Sequence, residues 1–462
     1  MKIAVLASEV LPFAKTGGLA DVVGALPLAL QYCGQEVIVI MPRYKCVTDS
    51  KFKINRVSED ISFSVIGNNL KVYFIENSSY FARDGLYGDK NGDYKDNLER
   101  FSFFCRRALD LLKEINYPAD ILHLHDWQAS LIPVYLKNIY AAKGFYSRMK
   151  CVLTIHNTGY QGIFEKEKFA KLGLSWDLFG INGLEFYGKV NLLKGGIIFS
   201  DFINTVSPTY AKEIQTKDFG FGLDGLLRER KEVLSGILNG LDYSVWDPMV
   251  DKFIIQNFSA ETLESKVFNK EDLQKRCGLP LNKDIPVLGI VSRLAEQKGF
   301  DVLAEALSKL CKMGLQLVIL GTGDLKYHQI LKNASEKYPG VISLNLKFDD
   351  PLAHKIYAGS DIFLMPSKYE PCGLGQLISL RYGTIPLVFK TGGLNDTINA
   401  KNGFLFSDYS KDGLLRALDH ALLVFKNKAK WACLMTNAMN CNFSWSISAG
   451  KYIKLYAKAR AR

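Results

Sequence analysis

Two parallel α/β domains facing each other across a cleft are the fold that this sequence predicts, on three observations. The chain has 462 residues, too many for one ordinary core and suited to two. Short apolar runs repeatedly end in a polar or glycine-bearing tip and pass into a stretch with helical spacing, the pattern of βαβ units. The heptad Lys-Thr-Gly-Gly-Leu-x-Asp occurs twice after such a run, at Lys15–Asp21 and Lys390–Asp396, once in each half. The boundaries read as 1–240 for the first domain and 241–442 for the second, with 443–462 a terminal helix returning to the first.

Composition narrows the function classes. A hydrophobic share of 48% and a charged share of 23% are those of a globular protein. The net charge of +11 comes from Lys and Arg spread along the chain without an aromatic-interleaved basic block, which argues against nucleic acid and leaves room for a phosphate-bearing ligand. The nine cysteines form no Cys-x-x-Cys pair, so neither a disulfide framework nor a zinc site is expected, and a reducing cytoplasm is. No apolar run is long enough to span a bilayer.

In chain order, a buried strand at Ile3–Ala7 leads to Glu9, the glycine loop Lys15–Asp21 and an amphipathic helix through Leu30. Strand, glycine loop and helix N-terminus together make an anion site, because bare backbone N–H groups and the helix dipole both favour negative charge. An ordinary βα turn needs the same glycines. Glu36–Pro42 is a second strand, 51–74 a hairpin-like insertion, and 78–99 a loop whose Tyr80 and Tyr87 suit carbohydrate contact, with a solvent loop the plainer reading. A helix follows over Leu98–Ile115. Two strands then end in His125-Asp126-Trp127-Gln128 and His156-Asn157-Thr158-Gly159-Tyr160. Their spacing is not that of a metal site. A polar sugar pocket with Trp127 and Tyr160 as flat apolar faces explains them better, and His123 reads as an interior histidine. Gly220-Phe221-Gly222-Leu223-Asp224-Gly225 matches a dinucleotide fingerprint but follows a helix-like stretch and not a strand, and is rejected as one.

Asn239-Gly240 marks the hinge into the second half. There Pro286–Val291 is tipped by Ser292-Arg293-Leu294-Ala295-Glu296-Gln297-Lys298-Gly299, Leu315–Leu320 by Gly321-Thr322-Gly323, and Ile385–Phe389 by the second glycine heptad. Val341–Leu346 is a further strand. The run Asp361–Met365 ends at Pro366 and leads into Ser367-Lys368-Tyr369-Glu370-Pro371-Cys372-Gly373-Leu374-Gly375, which presents the carboxylate of Glu370 beside a helix start. Glu370 is a site candidate, with helix capping as the plainer alternative.

Taken together, Lys15–Leu19, His125–Trp127, Thr154–Asn157, Asn204–Tyr210, Ile237–Asp242, Ser292–Gly299, Tyr369–Leu374 and Lys390–Leu394 resemble the bacterial glycogen synthase and plant starch synthase family over nearly the whole chain. The resemblance implies the GT-B architecture of two Rossmann-like domains. It also implies transfer of glucose from ADP-glucose to the non-reducing 4-hydroxyl of an α-1,4-glucan, with retention of the α configuration. By motif position, His156 would lie at the reacting sugar, Arg293 and Lys298 at the donor diphosphate, and Glu370 at the glucosyl hydroxyls. Lys15, Gly18, Asn239, Gln297, Cys372, Gly373, Leu374, Thr391, Gly392 and Gly393 would complete the donor side, with Glu9 and Asp126 near the glucose and acceptor. Two departures stand out: Gln128 where many members have His, and Ile378 eight residues past Glu370 where related retaining enzymes often place a second glutamate.

The chemistry asks for little beyond these groups. A departing nucleoside diphosphate needs fixed positive charge, each good contact in a dry site being worth roughly 3 kcal/mol, about two orders of magnitude in rate. No acid pair spaced for double displacement is legible, so front-face transfer is expected, with the departing phosphate taking the acceptor proton and without an obligatory divalent ion. Domain closure is expected to bring Lys15 and His156 to a donor held by the second half. Two rivals share the architecture: a nucleotide-sugar 2-epimerase, which lengthens no glucan, and a non-catalytic binder, which should lack one of the cations or Glu370. Residues alone do not choose between ADP- and UDP-glucose.

Overall fold

Strand β1 (Lys2–Leu6) is fully buried from Ile3 onward, as a parallel strand covered on both faces requires, and it sits inside a nine-stranded sheet. The computed structural model describes residues 1–142 and 144–462. They divide into two compact units, 1–240 with 445–462, and 241–444.

In the first unit the chain continues through β2 (Glu36–Pro42), β3 (Asn55–Arg56), β4 (Ile61–Ile66) and β5 (Leu70–Ile75). After a small hairpin, β6 (Gly88–Asp89) and β7 (Gly92–Asp93), come β8 (Ile121–His125) and β9 (Lys150–Ile155). A three-stranded insert, β10 (Ile163–Phe164), β11 (Glu185–Phe186) and β12 (Lys189–Asn191), precedes β13 (Phe202–Thr205) and β14 (Leu234–Gly236). The main sheet runs β14-β13-β9-β8-β1-β2-β5-β4-β3. All neighbours from β14 to β5 are parallel, and only the β5–β4 and β4–β3 pairings are antiparallel. The stretch 51–74 is therefore more than an inserted hairpin, since β5 extends the parallel sheet beside β2. Strand order reverses between β1 and β8, the point where such sheets open a crevice at their C-terminal ends.

The second unit repeats this logic with six strands: β15 (Val287–Val291), β16 (Gln316–Leu320), β17 (Ile342–Asn345), β18 (Ile362–Met365), β19 (Ile385–Phe389) and β20 (Phe404–Phe406). Their order, β17-β16-β15-β18-β19-β20, is wholly parallel and reverses between β15 and β18. Helices cover both faces. Phe300–Leu310 and Lys411–Lys426 bury Leu303, Ala306, Leu414 and Leu418 in one core, and Lys266–Arg276 and Asp350–Gly359 bury Leu273 and Ile356 in the other.

The chain's last helix, Trp445–Arg460, belongs to the first unit, where Tyr452 and Tyr456 are fully buried. The rejected glycine fingerprint is preceded by the helices Pro208–Glu213 and Lys217–Gly220, so no strand feeds it. Among the described residues no helix is long and apolar enough to cross a membrane, and no group of three or more His, Cys, Asp or Glu could hold a metal ion.

Candidate active site

The candidate residues collect at the strand tips beside the reversal point of each sheet, and each unit builds its own set. In the first unit β1 leads to Glu9. This side chain is 3% exposed, and its carboxylate is enclosed by donors: the backbone N–H groups of Thr16 (2.5 Å) and Gly17 (3.2 Å), the Thr16 hydroxyl (2.6 Å) and the Tyr87 hydroxyl (2.7 Å). Two of the glycine loop's amides, expected to greet a ligand anion, are thus spent on an internal carboxylate. Glu9 anchors the loop. Lys15 reaches out from that loop to Asp21 at 2.8 Å, and Gly18 opens the helix Gly18–Tyr32 with open space where a Cβ would stand.

Tyr87 had no sequence signal for this duty. The segment 78–99 is not a free loop; a helical turn at Ser78–Phe81 and the β6–β7 hairpin bring the Tyr87 hydroxyl between Ser8 and Glu9. Trp127 also departs from expectation. Its ring is 9% exposed, packed edge-on against Phe101 at 5.0 Å, with Gly162 so close that an added Cβ would lie 2.5 Å from it. It is a core side chain, whereas Tyr160 is 57% exposed.

At the tip of β8, Asp126 takes a left-handed backbone conformation with φ 56°, a strained choice for a residue with a side chain. That turn lets its Oδ1 accept the backbone N–H of His156 at 2.7 Å and so tie the β8 tip to the β9 tip. Enclosure by protein pushes the Asp126 carboxyl up to about 7, against the lowering effect of the His156 and Asn157 amides. Burial acts oppositely on His156 and holds it neutral down to about 3. Its Nε2 lies 2.9 Å from Nδ1 of His125, a fully buried ring. His123 is interior, with Nε2 on the Thr154 hydroxyl (2.7 Å) and Nδ1 on the Tyr456 hydroxyl (2.8 Å). Gln128 is 6% exposed and faces the interior. Asn239 is also buried, in the segment after β14, and no hydrogen bond links it to His156 or Asp126.

In the second unit the β15 tip supplies Arg293, Gln297 and Lys298, and the β18 tip supplies Glu370. Gly299, at φ 78°, lets the first pass beneath the second: a Cβ there would stand 2.0 Å from the Pro366 carbonyl oxygen. The two tips are joined by Lys368 N–H to the Gln297 carbonyl (2.9 Å) and by the Lys298 ammonium to Glu370 Oε2 (2.6 Å), with the Ser367 hydroxyl on the same oxygen at 3.1 Å. Glu370 is 6% exposed and does not cap the following helix, whose N-cap is Leu374. Arg293 is exposed and makes no ion pair among the described residues. Gly373 is left-handed at φ 75°, and the Gln376 amide donates to the carbonyls of Cys372 (2.9 Å) and Gly373 (3.1 Å), which holds the Cys372-Gly373-Leu374 turn.

The second glycine heptad completes this cluster. Gly393 donates its N–H to the Glu370 carbonyl at 3.0 Å, and Cβ atoms on Gly392 or Gly393 would meet the Glu370 or Cys372 carbonyl oxygen at 2.0 and 2.1 Å. Thr391 is buried beside them. Arg293, Gln297, Lys298, Glu370, Cys372 to Leu374 and Thr391 to Gly393 therefore form one neighbourhood, and Glu9, Lys15, Gly18, Asp126 and His156 lie at adjoining tips of the other sheet. A fixed cation beside a buried carboxylate, with an exposed arginine on the same strand tip, can hold a polyhydroxylated group and a polyphosphate side by side.

Comparison with known proteins agrees over the whole length. Residues 2–229 match the family model described as starch synthase catalytic domain, and residues 272–432 match glycosyl transferases group 1. The chain is 49% identical to a glycogen synthase of Geotalea uraniireducens over 481 residues, covering 100% of this chain and 99% of that protein. It is 46% identical over 488 residues to a glycogen synthase of Thermotoga maritima, with 100% and 99% covered. Among solved structures, the catalytic domain of starch synthase IV from Arabidopsis thaliana, bound to ADP and acarbose, superposes with a TM-score of 0.91 at 34% identity, covering 100% and 99%. A sucrose-phosphate synthase from Thermosynechococcus elongatus shares the fold at a TM-score of 0.65 and 17% identity.

Proposed function

This chain belongs to the glycogen synthase and starch synthase family of glycosyltransferases, and on that footing we propose that it transfers glucose from ADP-glucose to the non-reducing 4-hydroxyl of an α-1,4-glucan with retention of configuration. Its two Rossmann-like domains are those of the GT-B architecture. The observation that carries the reading is the Lys298–Glu370 pair at the reversal point of the second sheet, with Arg293 on the same tip.

In this reading the donor diphosphate meets Arg293 and Lys298, which stabilise the charge that develops as the sugar–phosphate bond breaks. Lys298 serves both partners: it pairs with the buried Glu370 side chain, which accepts hydrogen bonds from the glucosyl hydroxyls, and it presents positive charge to the phosphate. Thr391, Gly392 and Gly393 face the distal phosphate, and Gln297 and the Cys372–Leu374 turn hold the tip that carries Glu370. His156, neutral at working pH, stands at the reacting sugar, with Asp126 fixing its backbone and Glu9 holding the loop of Lys15 and Gly18. Glu9 supports the acceptor side through that loop. The acceptor hydroxyl attacks on the face from which ADP departs, and the leaving phosphate takes its proton. The ADP moiety named for the starch synthase IV structure supports the choice of base.

Incubation with glycogen and either ADP-glucose or UDP-glucose, with ADP or UDP release and polymer growth both measured, tests this. Nucleotide release without chain growth would favour the epimerase reading. Lys298→Ala and Glu370→Ala should each lower kcat by about a hundredfold or more, the loss expected when one preorganised charge contact is removed from a transition state. Retention of full activity in either variant would remove the basis of the proposal.

A further inference from the structure

His156 and His125 share one N···N contact, Nε2 of the first to Nδ1 of the second at 2.9 Å. Between two neutral imidazoles such a contact holds a single proton, and which ring owns it decides where each ring's other proton sits. His125 breaks the symmetry. Its ring is fully buried, and among the described residues its Nε2 has no hydrogen-bond partner. A buried N–H without an acceptor is rarer and costlier than a buried lone pair without a donor, so Nε2 of His125 is the bare nitrogen and its proton is on Nδ1.

We propose that His125 is a positioning residue that sets the tautomer of His156: it donates Nδ1–H to Nε2 of His156, which leaves the His156 proton on Nδ1, the nitrogen turned away from the pair. The ring that does this is itself locked. His123 packs on it with centroids 4.2 Å apart, and both nitrogens of His123 are engaged, by the Tyr456 and Thr154 hydroxyls. Thr154 in turn accepts from Asn204, which also donates to Tyr452. The last helix of the chain thereby holds His123, the ring that packs on His125. Resting on the reading above, His156 then meets the substrate as a hydrogen-bond donor toward a sugar oxygen and not as a base.

Long-range 15N–1H correlation spectra of the full-length protein between pH 6 and 8 test this without substrate. The His156 ring, assigned among the six histidines by its disappearance in His156→Gln, should show a protonated Nδ1 and a bare Nε2. The reverse pattern, or fast exchange between tautomers, overturns the proposal whether or not the protein transfers glucose, so the two readings fail separately. In His125→Asn the amide nitrogen stands as many bonds from Cα as imidazole Nδ1. This variant should keep the His156 pattern and kcat within about threefold, while His125→Leu should lose kcat by about tenfold or more with little change in KM. If His125→Leu does not fold, the wild-type and His125→Asn spectra still decide the matter. Equal activity in Leu and wild type also overturns it.

Discussion

Four ionisable side chains around the β8 and β9 tips pull the first unit's stability in two directions. Burial holds His123 and His156 down to about 3 and His125 well below its usual range, so all three are neutral when folded. The unfolded chain protonates such rings near 6.5. Their contribution is therefore whole above that pH and is lost as pH falls toward 3. Asp126 has the opposite sign: its carboxyl, raised to about 7, contributes stability that is present below about 4 and lost as pH rises through 7. Three against one, the melting temperature of the first unit should climb between pH 4.5 and 6.5. Asp126→Asn, which keeps an oxygen for the His156 N–H, should steepen that climb and raise the melting temperature at pH 7.5. Identical pH profiles for variant and wild type would show that Asp126 is not enclosed as described. The histidines and Asp126 were legible in the sequence as polar residues on apolar strands. Which of them touch was not, because β8 and β9 are paired by register and His123 finds Tyr456 333 residues away.

At the scale of elements, the duplicated heptad shows what a motif does and does not say. Both copies follow a parallel strand and start a helix, as their shared sequence requires. Their surroundings differ. Gly17 has an extended backbone at φ −154° with open space around it, while a Cβ on Gly393 would lie 2.1 Å from the Cys372 carbonyl oxygen. Gly17→Ala should thus change stability by no more than about 0.5 kcal/mol. Gly393→Ala should cost about 1–3 kcal/mol by overpacking, and should raise the donor KM because the backbone that retreats is the one carrying Glu370. Thermal melts and donor titrations of the two variants, read side by side, check this; equal effects would mean the β18 tip is free to move aside. The same contrast explains Glu9, a position flagged for substrate whose carboxylate is spent on amides of its own loop.

At the scale of the whole molecule, the first unit is discontinuous in sequence. It closes only when the helix Trp445–Arg460 packs Trp445, Ala449, Tyr452 and Tyr456 against it, with Ser448 donating to the Leu238 carbonyl. Removing one buried aromatic side chain costs about 3–5 kcal/mol, a large share of a typical domain's stability. A chain ending at Ser444 should therefore lose the first unit's melting transition while the second unit, 241–444, keeps its own. Calorimetry on the truncated chain reads both, and an unchanged first transition would show that the helix is dispensable. By itself the sequence determined the two α/β repeats, the strand tips that bear polar chemistry and the rejection of a dinucleotide fingerprint, because apolar period, glycine placement and chain length act locally and leave their mark along the chain. Only the tertiary structure decided that Lys298 pairs with Glu370, that the Tyr87 hydroxyl bonds Glu9 and the Trp127 ring packs on Phe101, and that a C-terminal tyrosine steadies the histidines. Those are meetings of side chains from distant segments, and they depend on strand order and register, which no local pattern encodes.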